Sequence, residues 1–346
     1  MVYCRKATFF NEKFFDIGMK IALLLKFKDE DVEMLKASLP NHEIIYVDPK
    51  DPVDVKTNMS DVQVVVGPNL TQELLENAPQ LQLVQVPWVG VDRVPLKLLE
   101  GRNIQVCNAK WNDWVVAEYA VALLLATAKR LVEVDQSFRK GSWESRWWVS
   151  RKIRGSTILL VGFGSIGREL AQMLAPFKAE IFVLKRDPTK VSDAELGMVK
   201  KVVGWDDYPS VAPKVDFMIC TLPLTAETTG LIDKHKLKLL KPGCIVVNVG
   251  RGKTVDEEAF YIALRDGHLG GAGIDVWYEY KRSGDEEPFY PSNFPFHELH
   301  NVVMSPHRAA TFQDNPDEVW DDTIYNIKAL GKREPLRNVV SLQHGY

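Results

Sequence analysis

Gly162-Phe163-Gly164-Ser165-Ile166-Gly167 is the segment of this chain whose residue types and spacing most plainly serve a ligand. An apolar run of strand type, Thr157-Ile-Leu-Leu-Val161, precedes it, and a helical pattern opens near Ile166. In that setting the first glycine permits a tight turn, the second lets backbone approach a pyrophosphate, and the third lets helix and strand pack closely. The helix start adds unpaired N–H groups and positive potential, so the expected chemistry is retention of a dinucleotide's phosphates. Roughly 20 residues further on, NAD binders place an acidic residue on the ribose. Here the next strand ends Leu184-Lys185-Arg186-Asp187. Lys185 and Arg186 attract a 2′-phosphate that a carboxylate would repel, so NADP(H) is expected over NAD(H). Asp187 keeps NAD(H) possible, because a small loop shift would bring it onto the ribose.

The elements that must position this turn read as alternating strands and helices. Lys20–Lys26, Glu43–Val47, Val62–Val66 and Leu83–Val86 are strand-like runs. Asp31–Leu39 and a Thr71-capped segment to Asn77 are helical. A long Ala- and Leu-rich helix, Trp114 to Arg130, follows and should be almost wholly buried. Beyond the glycine turn come strands at Ile181–Leu184, Phe217–Cys220, Ile245–Val249, Gly273–Val276 and Val302–Met304, then a helix near Glu318 to Leu330. The pattern predicts an α/β protein with two doubly wound parallel sheets.

At 346 residues the chain suggests two domains of roughly 150 residues each. Its 43 basic and 46 acidic residues give a net charge of -3, which offers no electrostatic footprint for nucleic acid. No apolar run approaches the roughly 20 residues of a membrane span. Cys4, Cys107, Cys220 and Cys244 lie far apart with no CxxC pair, which reads as reduced thiols in a cytoplasmic protein and not as a disulfide frame or metal site. Residues 1–18 read as an N-terminal extension, with a transit peptide as the alternative.

The glycine turn, together with Cys220-Thr-Leu-Pro-Leu-Thr-Ala-Glu-Thr-Thr-Gly-Leu-Ile232, Asn248-Val-Gly-Arg-Gly-Lys-Thr-Val-Asp256 and Met304-Ser-Pro-His307, resembles the D-isomer-specific 2-hydroxyacid dehydrogenases. The ordered matches run from Val89-Gly-Val-Asp92 to His307. The resemblance implies a Rossmann cofactor domain (111–305) inserted in a flavodoxin-like substrate domain (1–110 and 306–346). It also implies a homodimer with the Trp114–Arg130 helix as interface core, and meeting of substrate and nicotinamide in the cleft between domains. Arg251 then matches the substrate arginine, whose planar fork suits a carboxylate. His307 matches the general acid, for which imidazole is suited near neutral pH. Val89 and Gly90 match a turn offering N–H groups to the substrate carboxylate. Thr221, Leu222, Pro223 and Thr228 pass along the cofactor. Val249 and Gly250 flank the nicotinamide, Asp275 lies near its carboxamide, and Ala309 and Ala310 stand where relatives commonly have glycine.

The chain departs from the family where a Glu usually follows five residues after the position of Asp275 and pairs with the histidine: residue 280 is Tyr. Glu279 is the expected substitute, with Glu287, after an apparent insertion at Lys281 to Asp285, or no carboxylate as the alternatives. The expected activity is hydride transfer between NADP(H) and a small 2-oxo or 2-hydroxy acid such as glyoxylate or hydroxypyruvate. A formate- or phosphite-type dehydrogenase and a dinucleotide-sensing, corepressor-like binding protein are the other readings. Seven tryptophans (Trp88, Trp111, Trp114, Trp143, Trp147, Trp148 and Trp277) crowd the predicted cleft and domain link, as substrate wall or as packing.

Overall fold

The computed structural model describes residues 18–346 apart from 283 and 313–315. The expected N-terminal extension, with Cys4, falls almost entirely outside the described residues. The chain divides into two compact units. One comprises the described residues up to Trp111 together with the C-terminal helix and tail; the other starts at Asn112 and continues to just before that helix. Residues 306 to 312, which the sequence assigns to the substrate domain, therefore belong to the second unit with His307.

The first unit holds five parallel strands: β1 (Lys20–Leu23), β2 (Glu43–Tyr46), β3 (Val62–Val66), β4 (Leu83–Gln85) and β5 (Gln105–Cys107), in the order β2-β1-β3-β4-β5. Val62, Val64, Val65 and Val66 are all fully buried, because side chains on both faces of a helix-covered parallel sheet are removed from water. Thr71 caps the helix Gln72–Asn77 by accepting the Leu74 N–H at 3.0 Å. The helix Pro316–Lys332 returns to this sheet, where the buried Asn326 amide donates to Gln85 Oε1 at 2.8 Å and Trp320 Nε1 donates to Asp31 at 3.0 Å.

The second unit holds seven parallel strands: β6 (Thr157–Val161), β7 (Glu180–Leu184), β8 (Lys201–Val203), β9 (Phe217–Cys220), β10 (Cys244–Asn248), β11 (Leu269–Ile274) and β12 (Val302–Met304), in the order β12-β11-β10-β9-β6-β7-β8. The chain winds outward from β6 in one direction and then returns to β9 for the other, so the switch point lies beside β6. Four strands differ from the sequence reading by more than a residue, the first being β1, which ends at Leu23 and not at Lys26. β11 starts four residues before the expected Gly273 because Leu-Gly-Gly-Ala-Gly-Ile has little strand propensity of its own. β5 and β8 are three-residue runs that periodicity does not resolve.

The helix Asp113–Ala128 corrects the expectation of near-complete burial. Ala117, Ala120 and Leu124 are buried, whereas Trp114 is 41% exposed, Ala122 is exposed, and Val121 and Leu125 are half-buried. This helix thus leaves a mainly apolar stripe, Trp114, Val121, Ala122 and Leu125 with the exposed Glu118 among them, facing outward. Among the described residues no helix is long and apolar enough to cross a membrane.

Candidate active site

The expected site residues of the second unit follow the carboxyl ends of adjacent parallel strands. His307 follows β12, Asp275 follows β11, Arg251 follows β10, Thr221 follows β9, the glycine turn follows β6 and Lys185 follows β7. Sheet order thus converts six sequence-distant segments into one edge, where open α/β sheets bind their ligands.

The glycine turn fits a dinucleotide diphosphate on geometric grounds. Gly162 has φ +99°, and a Cβ there would meet Thr221 Oγ1 at 2.8 Å. A Cβ on Gly167 would strike the Gly162 carbonyl oxygen at 2.6 Å, so this position needs glycine for helix and strand to close up. Gly164 is exposed and a Cβ on it would meet nothing within 4 Å, which leaves the backbone open on the ligand side. The helix Ser165–Leu174 begins there without a side-chain cap, leaving the N–H groups around Ser165 and Ile166 for phosphate oxygens. Across the edge, a Cβ on Gly250 would meet the Leu222 carbonyl oxygen at 2.5 Å, so the two segments meant to line the cofactor press against each other. Thr228 Oγ1 donates to the Pro223 carbonyl at 2.6 Å and accepts the Thr225 N–H at 2.8 Å, which fixes the loop after β9.

At the far end of that edge Lys185 is half-buried and its ammonium reaches the Lys190 carbonyl. Arg186 is exposed and pairs with Glu227 at 2.8 Å, a partner that local sequence does not show. Asp187 turns back on its own loop, accepting the Thr189 hydroxyl at 2.6 Å and its N–H at 3.1 Å. The Thr189 bonds and nearby Lys190 hold its carboxyl below the usual range.

Arg251 is extended and half-buried, and its neighbours hold its backbone on both sides. Buried Asn248 accepts the Gly250 N–H at 3.1 Å and donates to the Arg251 carbonyl at 3.1 Å, which also accepts the Thr254 hydroxyl at 2.7 Å. The guanidinium donates to the Gly250 carbonyl at 2.9 Å. Asn248 lies in the quoted motif, yet only the fold reveals it as a positioning group.

His307 is exposed and lies in the left-handed backbone region at φ 53°, a conformation that costs a non-glycine residue about 1 kcal/mol or more. Asp275 holds it there. This fully buried carboxylate accepts the Arg308 N–H at 2.9 Å, the Ala309 N–H at 3.0 Å and the Ser305 hydroxyl, and Ser305 in turn meets the Tyr119 hydroxyl at 2.9 Å. Trp277 Nε1 donates to the Ser305 carbonyl at 2.8 Å. Burying a charge without several donors would be prohibitive, so the three bonds and the turn stabilise one another. Ala309 is buried in the core and Ala310 is half-buried against it.

The expected carboxylate for the imidazole is not where Glu279 or Glu287 stands. The chain leaves the buried Tyr278 through a Glu279 N–H bond to the Pro291 carbonyl at 3.0 Å, and the Glu279 side chain is exposed, with no ion pair among the described residues. Glu287 pairs with Lys281. The His307 ring packs instead on Tyr280, with centroids 5.2 Å apart and planes inclined by 50°, while the Tyr280 hydroxyl accepts the Trp277 N–H at 3.2 Å.

In the first unit Val89 and Gly90 form a half-buried bend whose Val89 carbonyl accepts the Asn108 amide at 2.6 Å. The tryptophans differ in their surroundings within each unit. Trp277 is buried, Trp88 packs partly into the first unit's core, and Trp143 and Trp147 are 67% and 70% exposed. Among the described residues no group of three or more His, Cys, Asp or Glu could hold a metal ion.

Comparison with known proteins agrees with this arrangement. Residues 121–309 match the family model described as D-isomer specific 2-hydroxyacid dehydrogenase, NAD binding domain. The chain is 36% identical over 269 residues to the glyoxylate reductase of Pyrococcus furiosus, covering 74% of this chain and 75% of that one. It is 34% identical over 274 residues to the D-3-phosphoglycerate dehydrogenase of Mycobacterium leprae, covering 79% of this chain and 49% of the other. A crystal structure from Pyrococcus horikoshii superposes with a TM-score of 0.77 at 25% identity, over 93% of this chain and 95% of that one. A fold of two parallel-sheet units, a glycine turn that fits a dinucleotide and a family match across more than half its length establish that this chain belongs to the D-isomer-specific 2-hydroxyacid dehydrogenases, oxidoreductases that exchange hydride between a nicotinamide dinucleotide and a 2-oxo or 2-hydroxy acid.

Proposed function

We propose that this enzyme is an NADP(H)-preferring reductase of a small 2-oxo acid, with Arg251 binding the substrate and His307 delivering the proton. The observation that carries the reading is the alignment of Arg251, the Asp275-held His307 turn and the open glycine cradle along one strand-end edge. The bound dinucleotide supplies a hydride to the carbonyl carbon. Arg251 grips the carboxylate and polarises the ketone, with its backbone locked by Asn248 and Thr254 so that little ordering remains to be done on binding. His307 gives its proton to the oxygen as negative charge develops there, and takes one back in oxidation. Tyr280, rather than Glu279 or Glu287, supports the ring.

Lys185 and Arg186, with Asp187 engaged by Thr189, support NADP(H) as the preferred cofactor. Glyoxylate is the first substrate to test, because curated relatives carry that name. The outward stripe of Asp113–Ala128, together with exposed Leu131, Phe138, Trp143 and Trp147, supports a homodimer through this face. Buried Cys107, Cys220 and Cys244, all unpaired in disulfides, support work in the reducing cytoplasm.

The test is oxidation of NADPH and NADH against glyoxylate, hydroxypyruvate, pyruvate and larger 2-oxo acids, with formate and phosphite in the reverse direction. Turnover of a 2-oxo acid with higher kcat/KM for NADPH is expected. Equal or better use of NADH removes the cofactor preference, activity confined to formate or phosphite replaces the substrate class, and cofactor binding without turnover makes the chain a sensor.

A further inference from the structure

We propose that Glu227 is a specificity-determining residue that competes with a ribose 2′-phosphate for Arg186, an inference that rests on the NADP(H) reading above. Arg186 lies just beyond β7 and Glu227 lies in the loop after β9, and both strands are immediate neighbours of β6. The ion pair, Arg186 Nη1 to Glu227 Oε2 at 2.8 Å, therefore joins the two loops that flank the carboxyl end of β6, where the glycine turn begins. A dinucleotide whose phosphates rest on that turn carries its adenosine ribose toward the end of β7. The pair stands across that path.

Glu227 sits within a turn tied by the Thr225 N–H to Thr228 Oγ1 at 2.8 Å, Thr228 Oγ1 to the Pro223 carbonyl at 2.6 Å and Thr229 Oγ1 to the Thr225 carbonyl at 2.7 Å. Its carboxylate is thus delivered from a fixed backbone, and both side chains reach solvent, 45% exposed for Arg186 and 58% for Glu227, so the pair can open to a ligand. A 2′-hydroxyl leaves the pair undisturbed. A 2′-phosphate must draw the guanidinium from the carboxylate and then sit near that carboxylate, so Glu227 taxes NADP(H) twice and NAD(H) not at all. Exposed ion pairs are weak, which keeps this tax small enough for Lys185 and Arg186 to overcome.

Calorimetric titration of the full chain with 2′,5′-ADP, 5′-AMP, NADP+ and NAD+ tests the assignment without any 2-oxo acid. Glu227→Gln is expected to tighten 2′,5′-ADP and NADP+ about three- to tenfold and to leave 5′-AMP and NAD+ within twofold. Arg186→Gln should weaken the two 2′-phosphate ligands about tenfold, and adding Glu227→Gln to it should produce a smaller gain than in the wild type, because only the repulsion between carboxylate and phosphate is then left to remove. The proposal is overturned if Glu227→Gln shifts both ligand pairs alike, shifts neither, or gains as much for 2′,5′-ADP when Arg186 is absent as when it is present. A wild type that binds 5′-AMP as tightly as 2′,5′-ADP removes the NADP(H) preference. A gain by Glu227→Gln for 2′,5′-ADP alone would still stand beside that result.

Discussion

Replacing Asp275 by Asn separates the two roles open to this carboxylate: contact with the nicotinamide carboxamide, which the family resemblance implies, and support of the His307 turn, which the hydrogen bonds display. Oδ1 receives the Arg308 N–H at 2.9 Å and the Ser305 hydroxyl, and Oδ2 receives the Ala309 N–H at 3.0 Å. An Asn retaining Oδ1 keeps two of the three bonds in neutral form and turns an NH2 group toward the Ala309 N–H, donor against donor. Losing one charge-assisted bond and burying unpaired donors at a fully buried site costs about 2–4 kcal/mol. If that cost falls on the turn, kcat for glyoxylate drops about 30- to 1000-fold, because each 1.36 kcal/mol is tenfold in rate. Ser305→Ala removes one donor and keeps the charge, so it should cost about tenfold. The assay is steady-state reduction with saturating NADPH, paired with calorimetric Kd for NADPH and NADP+ and circular dichroism of the fold. A folded Asp275→Asn enzyme within threefold of wild-type kcat refutes the clamp. A loss confined to NADPH affinity assigns Asp275 to the cofactor instead.

Four further outcomes follow from the same geometry. Arg251→Lys keeps the charge but not the planar fork, and kcat/KM for glyoxylate should fall about a hundredfold or more while the Kd for NADPH stays within threefold. Tyr280→Glu places a carboxylate against the His307 ring and should move the falling limb of the kcat/KM profile in reduction to higher pH, whereas Tyr280→Phe leaves that limb in place; coincident profiles for all three enzymes would discount the ring contact. Burial raises the Asp216 carboxyl, but Lys241 Nζ at 2.6 Å, the Thr157 N–H at 3.0 Å and nearby Arg151 outweigh it and hold it below the usual range. The stabilisation is then present above the ordinary carboxylate range and lost as pH falls through the lowered value, so Asp216→Asn should lose about 1–2 kcal/mol at pH 7 by urea unfolding and converge with wild type only once the pH falls below that lowered value. Burial first, and then the Asp322 carboxylate, push the Cys107 thiol up to about 12, so iodoacetamide at pH 8 should label its peptide only after denaturation; rapid native labelling would show that β5 opens.

Much of this protein was legible along the chain because the relevant physics is local. The glycine turn declares itself: tight turn, open approach and close packing each demand glycine, and all three fall within six residues between an apolar strand and a helix. The strands Thr157–Val161 and Val62–Val66 are readable because a parallel sheet buried on both faces must be apolar nearly throughout, and only half-buried Thr157 and Gln63 interrupt the two runs. The glycine-rich β11 starts earlier than its local pattern predicts for the converse reason, since its extended form comes from pairing with β10 and β12 and not from its own propensity.

What the sequence alone determined, then, is the class of ligand held and the residue types able to act on it: a dinucleotide cradle, an arginine and a histidine at strand ends. What tertiary structure decided is how those groups are held and with whom they compete. Asp275 clamps a turn 30 residues away, Tyr280 takes the place beside His307 that Glu279 was expected to fill, and Arg186 meets Glu227 across 41 residues. Hydrogen bonds and ion pairs reach only a few ångströms, and the order of strands in a sheet, which no local pattern encodes, decides which distant residues come within that reach.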